Sequence, residues 1–186
     1  DTVAKLNHTP KAGSQETVEP TCTENGEIVY TYSVRTGFRS LEVKDGWFNL
    51  NGKRIVMHAT GNSDGFHPLG ALQDVNEIRN ELVHIKSLGF NIVRYHNCSA
   101  YPEILDFCDE LGIGIWTGHA ASWWMKEDGR FFDEIYEKHM VYNMRTGINH
   151  PCVIAWEMVN ESHFEHERKF SVDYLPKLRE IDKTRL

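Results

Sequence analysis

The 186 residues predict an α/β fold with a parallel sheet, and three observations carry that reading. Short β-branched or aromatic runs alternate with helical patterns at about 20–40 residues per repeat, the signature of βα units. Glycines stand where two of the helices should stop, at Gly89 and Gly112. No G-x-G-x-x-G follows the first strand, and no G-x-x-x-x-G-K-[ST] occurs anywhere, so no phosphate-binding loop marks a doubly wound sheet. Four βα units are legible, whereas a closed barrel needs eight. Periodicity alone leaves a doubly wound sheet and a barrel both open.

Residues 1–26 are polar and rich in Thr, Glu, Pro and Gly, and read as a loop, a linker or the edge of a preceding domain. Ile28–Val34 is β-branched and aromatic and reads as a strand. Trp47–Leu50, the pair Asn51-Gly52 and Lys53–His58 read as a hairpin with an Asn-Gly turn. Its second arm leads into a Gly/Asn/Asp loop from Thr60 to Gly70. Val75, Ile78, Leu82, Ile85 and Leu88 recur at three and four residues, which predicts a helix closed by Gly89. Asn91–His96 is a short strand. Pro102 starts a second helix with Ile104, Leu105, Cys108 and Leu111 inward. Ile113–Trp116 is the next strand and a Trp-rich loop follows it. A third helix is expected around Phe132, Ile135, His139 and Tyr142, then a strand at Val153–Trp156. A last helix lies near Val172 to Lys183, with Pro176 as a kink or a start. There is no internal repeat.

Composition narrows the function classes. Hydrophobic residues at 40% and charged residues at 25% are ordinary for a globular chain. No apolar run approaches the roughly 18 residues a membrane helix needs, and Asp1–Lys5 has no signal-peptide core. The net charge is −7 with no dense Lys/Arg run, so neither nucleic acid nor a membrane is expected as a partner. A neutral or polar small substrate fits better, and five tryptophans offer faces for sugar rings as well as core material. Cys22, Cys98, Cys108 and Cys152 form no C-x-x-C pair; Cys108 and Cys152 read as buried thiols, and the compartment stays open. Glu161, His163, Glu165, His166 and Glu167 cluster locally, but H-x-x-H lacks the helical spacing of H-E-x-x-H, so no metal site is expected.

In a βα barrel, reacting groups lie at the C-terminal ends of the strands. On this reading strand one ends at His58, with Asn62 and Asp64 beyond. Strand two ends at Arg94, His96 and Asn97. Strand three ends at Trp116 and His119, with Trp123 and Trp124 in its loop, and strand four ends at Asn160 and Glu161. One face would then collect a carboxylate, an arginine, histidines, an amide and indoles, a set suited to glycosidic bond cleavage. Glu157 lies inside its strand, facing away from Asn160, and reads as structural.

Three blocks occur in order: Thr36-Gly-Phe-Arg39 with Phe48–Arg54; Asn91-Ile-Val-Arg94 with Ile104–Gly112; and, most specifically, His150-Pro-Cys-Val-Ile-Ala-Trp156 through Asn160-Glu161. Together they resemble glycoside hydrolase family 2, the β-galactosidase, β-glucuronidase and β-mannosidase family. The resemblance implies a (β/α)8 TIM barrel of which residues 41–186 supply the first four βα units. Residues 1–40 would be a linker and the last strand of a preceding β-sandwich domain. It implies retaining hydrolysis of a β-glycoside with Glu161 as acid/base, Asn160 on the sugar 2-hydroxyl and Arg94 beneath the nucleophile. His96, Trp116, His119 and Asp64 are the further candidates for binding the carbohydrate. No cofactor or metal is required by the resemblance, and a homo-oligomer of the full-length protein stays open. The family's nucleophile is a Glu near the seventh strand, so the 186 residues are expected to be an inactive fragment of a longer polypeptide. A carbohydrate-binding half-barrel without turnover is the alternative. The loops after strands one to three differ from the family's common versions, and His96 is offset from the usual position, so the sugar is not specified.

Overall fold

The computed structural model describes residues 2–3, 15–62, 74–96, 98–122, 132–160 and 165–185. The chain divides into two compact units, Asp1–Ile55 and Val56–Leu186.

Among the described residues, the elements of the first unit are all strands. β1 (Thr2–Val3), β3 (Thr21–Glu24) and β4 (Glu27–Thr31) form one antiparallel sheet, and β2 (Gln15–Val18) pairs with β5 (Val34–Gly37). β6 (Leu41–Lys44), β7 (Trp47–Leu50) and β8 (Lys53–Arg54) form a third. Three two-residue turns close the hairpins, Asn25-Gly26, Asp45-Gly46 and Asn51-Gly52, and both residues of each have positive φ. That backbone matches the twist of the flanking strands and is open to Asn, Asp and Gly at little cost. The stretch expected to be linker is therefore partly strand, and Ile28–Val34 is two strands. The Asn51-Gly52 hairpin is present, but its second arm stops at Arg54, whose guanidinium lies 3.2 Å from the centre of the Trp47 ring.

The second unit is a parallel sheet in the order β9 (Ala59–Asn62), β10 (Ile92–Tyr95), β11 (Gly114–Ser122), β12 (Val153–Asn160). The strands follow one another in chain order without a switch point. The helices α1 (Val75–Ser87), α2 (Pro102–Leu111), α3 (Phe132–Gly147) and α4 (Glu165–Ile181) pack successively against their neighbours. That is singly wound layering, as in a TIM barrel, and it removes the doubly wound alternative. His58 is not the end of strand one. It precedes β9, where its N–H donates to Asn91 Oδ1 while its carbonyl accepts from Asn91 and Ile92. Strand one ends instead at Asn62.

Helix ends follow their residues. Asp74 caps α1 by accepting from Asn76 N–H at 2.7 Å, Pro102 opens α2, and Gly112 closes α2 in the left-handed region. The core beneath α1 and α2 joins Leu82, Ile104, Leu105 and Cys108 to Val93, Tyr95, Ile115 and Val153, with Ile78 and Ile85 alongside. The predicted faces of both helices thus hold, except that Val75 and Leu88 at the ends of α1 are exposed. α3 differs: Met140 and Met144 are inward, whereas His139 and Tyr142 are exposed. α4 continues past Pro176 and buries Leu178. Among the described residues no helix is long and apolar enough to cross a membrane.

Candidate active site

Successive strand residues point to opposite faces. On β10, Val93 and Tyr95 enter the core under the helices, so Ile92 and Arg94 face the other way. There Ile92 and Ile154 close over Gly114, where an added Cβ would lie 3.3 and 3.2 Å from them. Toward the C-terminal ends of the same strands this apolar layer gives way to Arg94, Trp116, Glu157 and Asn160.

Arg94 organises that polar layer. Its Nε donates to Glu157 Oε2 at 2.7 Å, and Nη2 donates to Glu157 Oε1 at 2.5 Å and to Asn160 Oδ1 at 2.6 Å. Nη1 meets His96 Nδ1 at 2.8 Å. A guanidinium has only donors, so Nδ1 accepts and the His96 proton sits on Nε2. The half-exposed Trp116 ring lies 5.9 Å from the guanidinium. Glu157 is 6% exposed and Asn160 is 6% exposed, and Asn160 Nδ2 has no hydrogen-bond partner among the described residues.

Four of the predicted site residues, Arg94, His96, Trp116 and Asn160, are thus brought together. Glu161 and Asp64 lie outside the described residues, and for His119 only the backbone, inside β11, is described. β11 and β12 run further than the sequence pattern indicates, so Trp116 lies within its strand and not at its end. Glu157 is the residue sequence reasoning missed. In a regular strand, positions three apart face opposite ways, which is why Glu157 was expected to point away from Asn160. The β11–β12 register shifts between Ile115 and Trp116 and again between Gly118 and Ala121. Such bulges break the strict alternation and raise the local twist. On β12 the buried residues are Val153, Ile154, Glu157 and Asn160, so from Ile154 onward burial recurs every third residue. One signal was available: a carboxylate inside an apolar strand needs a cation, and Arg94 lies inside the apolar strand two places away in the sheet.

Gly118 makes the close passage possible. Its φ is +141°, and a Cβ there would lie 2.7 Å from Glu157 O and 2.8 Å from Glu157 N, both rigid backbone atoms. On the other face of β12, Trp156 Nε1 donates to Asp182 Oδ2 at 2.8 Å. Arg185 bonds Asp182 and the carbonyls of Gly147, Ile148, His150 and Val153. A small hollow of about 60 Å³ lined by Met140, Met144, Met158 and Leu178 lies on that same side, away from Arg94.

Asp109, His150 and Cys152 also stand close enough to share a cation, with ligand atoms within 4.8 Å of one another. They sit at the start of β12, the opposite end from Asn160. Their atoms are already engaged: Asp109 accepts from His150 Nδ1 and from Cys152 N–H, each at 2.8 Å, and Cys152 Sγ donates to Leu105 O. Burial pushes the Cys152 thiol well above its ordinary value, with the Asp109 charge adding to it, so the sulfur stays protonated. The group ties α2 to β12 as a hydrogen-bonded clamp.

Residues 41–186 match the family described as glycosyl hydrolases family 2, TIM barrel domain. The chain belongs to glycosyl hydrolase family 2. Among relatives of this family, the β-galactosidase BoGH2A of Bacteroides ovatus is 30% identical over 144 residues, covering 74% of this chain and 17% of its own length. The crystal structure of Parabacteroides merdae β-glucuronidase superposes with a TM-score of 0.76 at 25% identity, covering 96% of this chain and 24% of that one. A family 2 β-galacturonidase from Eisenbergiella tayi bound to galacturonate gives a TM-score of 0.85 at 20% identity, covering 95% of this chain and 33% of that one, a likeness of fold. The chain spans 14–17% of the length of the curated relatives it matches. The family 2 match begins at Leu41 and so includes β6, β7 and β8, which pack within the first compact unit.

Proposed function

We propose that this chain is part of a retaining β-glycosidase, with Glu161 as general acid/base and Asn160 as the ligand of the sugar 2-hydroxyl. One observation carries the reading. Asn160, the residue before Glu161, has its amide oxygen held by Arg94 and a buried Nδ2 with no partner among the described residues. A buried amide donor without an acceptor is costly, and a substrate hydroxyl would satisfy it. Protonation of the leaving oxygen then falls to Glu161, and a second carboxylate attacks the anomeric carbon. That nucleophile belongs to a part of the polypeptide outside these 186 residues. This agrees with the small share of its relatives that the chain spans.

On this reading, residues 41–186 are the first four βα units of the barrel and residues 1–40 the linker and last strand of a β-sandwich domain. Trp116 offers a ring face to the sugar, and His96, His119 and Asp64 complete the binding side, with Arg94 beneath the nucleophile. The substrate is a β-glycoside, with galactosides and glucuronides the first to test because relatives carry those names. The test is a panel of aryl β-glycosides with the full-length protein and Glu161→Gln. Loss confined largely to poor leaving groups is expected, since a good leaving group needs no proton. A variant as active as the parent on poor leaving groups would sink the acid/base assignment.

A further inference from the structure

We infer that Glu157 is a positioning residue of the active site, acting through Arg94 to turn Asn160 into a hydrogen-bond donor toward the substrate. This rests on the reading of Asn160 given above and adds a residue to it. An Asn side chain has an oxygen that accepts and a nitrogen that donates, and it can turn either way. Arg94 can only donate, so the atom 2.6 Å from its Nη2 must be Oδ1, and Nδ2 is forced to the far side. The same logic leaves the His96 proton on Nε2. One guanidinium thereby sets the polarity of two ambidentate side chains.

The guanidinium must itself be held. Glu157 does this with both oxygens, on Nε and Nη2, through a side chain only 5% exposed. Bidentate pairing fixes the plane as well as the position of the fork, which a single contact would leave free to rotate. Nη2 is bonded to both Glu157 and Asn160, so any rotation that loosens the first contact also moves the second. A buried carboxylate inside an apolar strand is costly, and its partner here is the cation that aims Asn160.

The test uses the full-length protein with Glu157→Gln and Asn160→Ala, each assayed on an aryl β-glycoside it hydrolyses and on the 2-deoxy counterpart. Hydrogen bonds to the 2-hydroxyl strengthen in the transition state, so the loss should fall on kcat more than on KM. Glu157→Gln should lower kcat/KM for the parent glycoside roughly ten- to a hundredfold, and for the 2-deoxy substrate by no more than about threefold. A purely structural role for Glu157 would lower both alike. Glu157→Asp keeps the charge but is one methylene too short for the bidentate contact; it should show the same substrate-selective loss and serves if the Gln variant folds poorly. Should Asn160→Ala discriminate between the two substrates while neither Glu157 variant does, the inference is overturned and the reading of Asn160 stands. If Asn160→Ala lowers both substrates equally, both are overturned.

Discussion

Asp182→Asn should weaken the protein by an amount that depends on pH, and the size of that dependence can be worked from the contacts. Asp182 follows α4, is 3% exposed, and accepts four hydrogen bonds. Trp156 Nε1 and Arg185 Nη1 donate to Oδ2 at 2.8 and 2.7 Å, and Thr184 donates to Oδ1 from its backbone N–H at 2.8 Å and its hydroxyl at 2.7 Å. Burial alone would raise the carboxyl pKa. The hydrogen bonds from Trp156, Thr184 and Arg185 outweigh it and bring the group from 3.8 down to about 2. A carboxylate depressed by folding contributes stability that is fully present above its unfolded value and is lost as pH falls through its folded value. The fall from 3.8 to about 2 is therefore worth about 2 kcal/mol near neutrality, fading between about pH 5 and pH 2. Asn keeps one acceptor but turns its NH2 toward existing donors, which adds a cost that does not vary with pH. Equilibrium urea unfolding of parent and variant at a series of pH values would measure the gap. It should narrow by about 2 kcal/mol between pH 6 and pH 2. A gap that stays constant over that range would refute the claim that Asp182 is charged and held so by its donors. The consequence reaches the site, because Trp156 adjoins Glu157 on β12.

Three further outcomes are expected. Gly118→Ala should destabilise the protein by at least about 2 kcal/mol, since it combines an unfavourable φ with a backbone clash on Glu157; thermal unfolding would show it, and a Tm equal to the parent's would contradict the close approach. Cys108, pushed up to about 12 by burial and the neighbouring Asp109 charge, and Cys152, raised well above its ordinary value, should resist thiol reagents up to pH 9 in the native protein and label on unfolding; mass spectrometry of labelled peptides reads this directly. Asp109→Asn, which weakens the clamp on His150 and Cys152, should cost about 1–3 kcal/mol of stability while leaving metal content unchanged, as elemental analysis of both proteins would report.

The helices α1 and α2 were legible because each carries its own punctuation. Apolar residues repeat at three and four, Pro102 opens α2, and glycines follow both, all signals within one segment. The register of α3 was not, because His139 and Tyr142 offer a stripe beside Met140 and Met144, and only packing against α4 and β12 selects the methionines. The turns teach a related lesson. Asn25-Gly26 and Asp45-Gly46 carry the same signal as Asn51-Gly52, but the polar residues of β3 and β6 masked the strands that lead into them.

From the sequence came the order of βα units, the family blocks, and the pairing of Arg94 with Asn160 as candidates on one sheet, since these follow from local pattern and from motif. The tertiary structure decided three other things. It chose the singly wound layering, because strand order is a property of pairing between distant segments. It moved His58 from the end of strand one to its approach, because Asn91 holds that segment by its backbone. And it turned Glu157 toward Arg94. Strand periodicity assigns a residue to a face only while the register holds, and the β11–β12 pairing shifts on either side of Glu157.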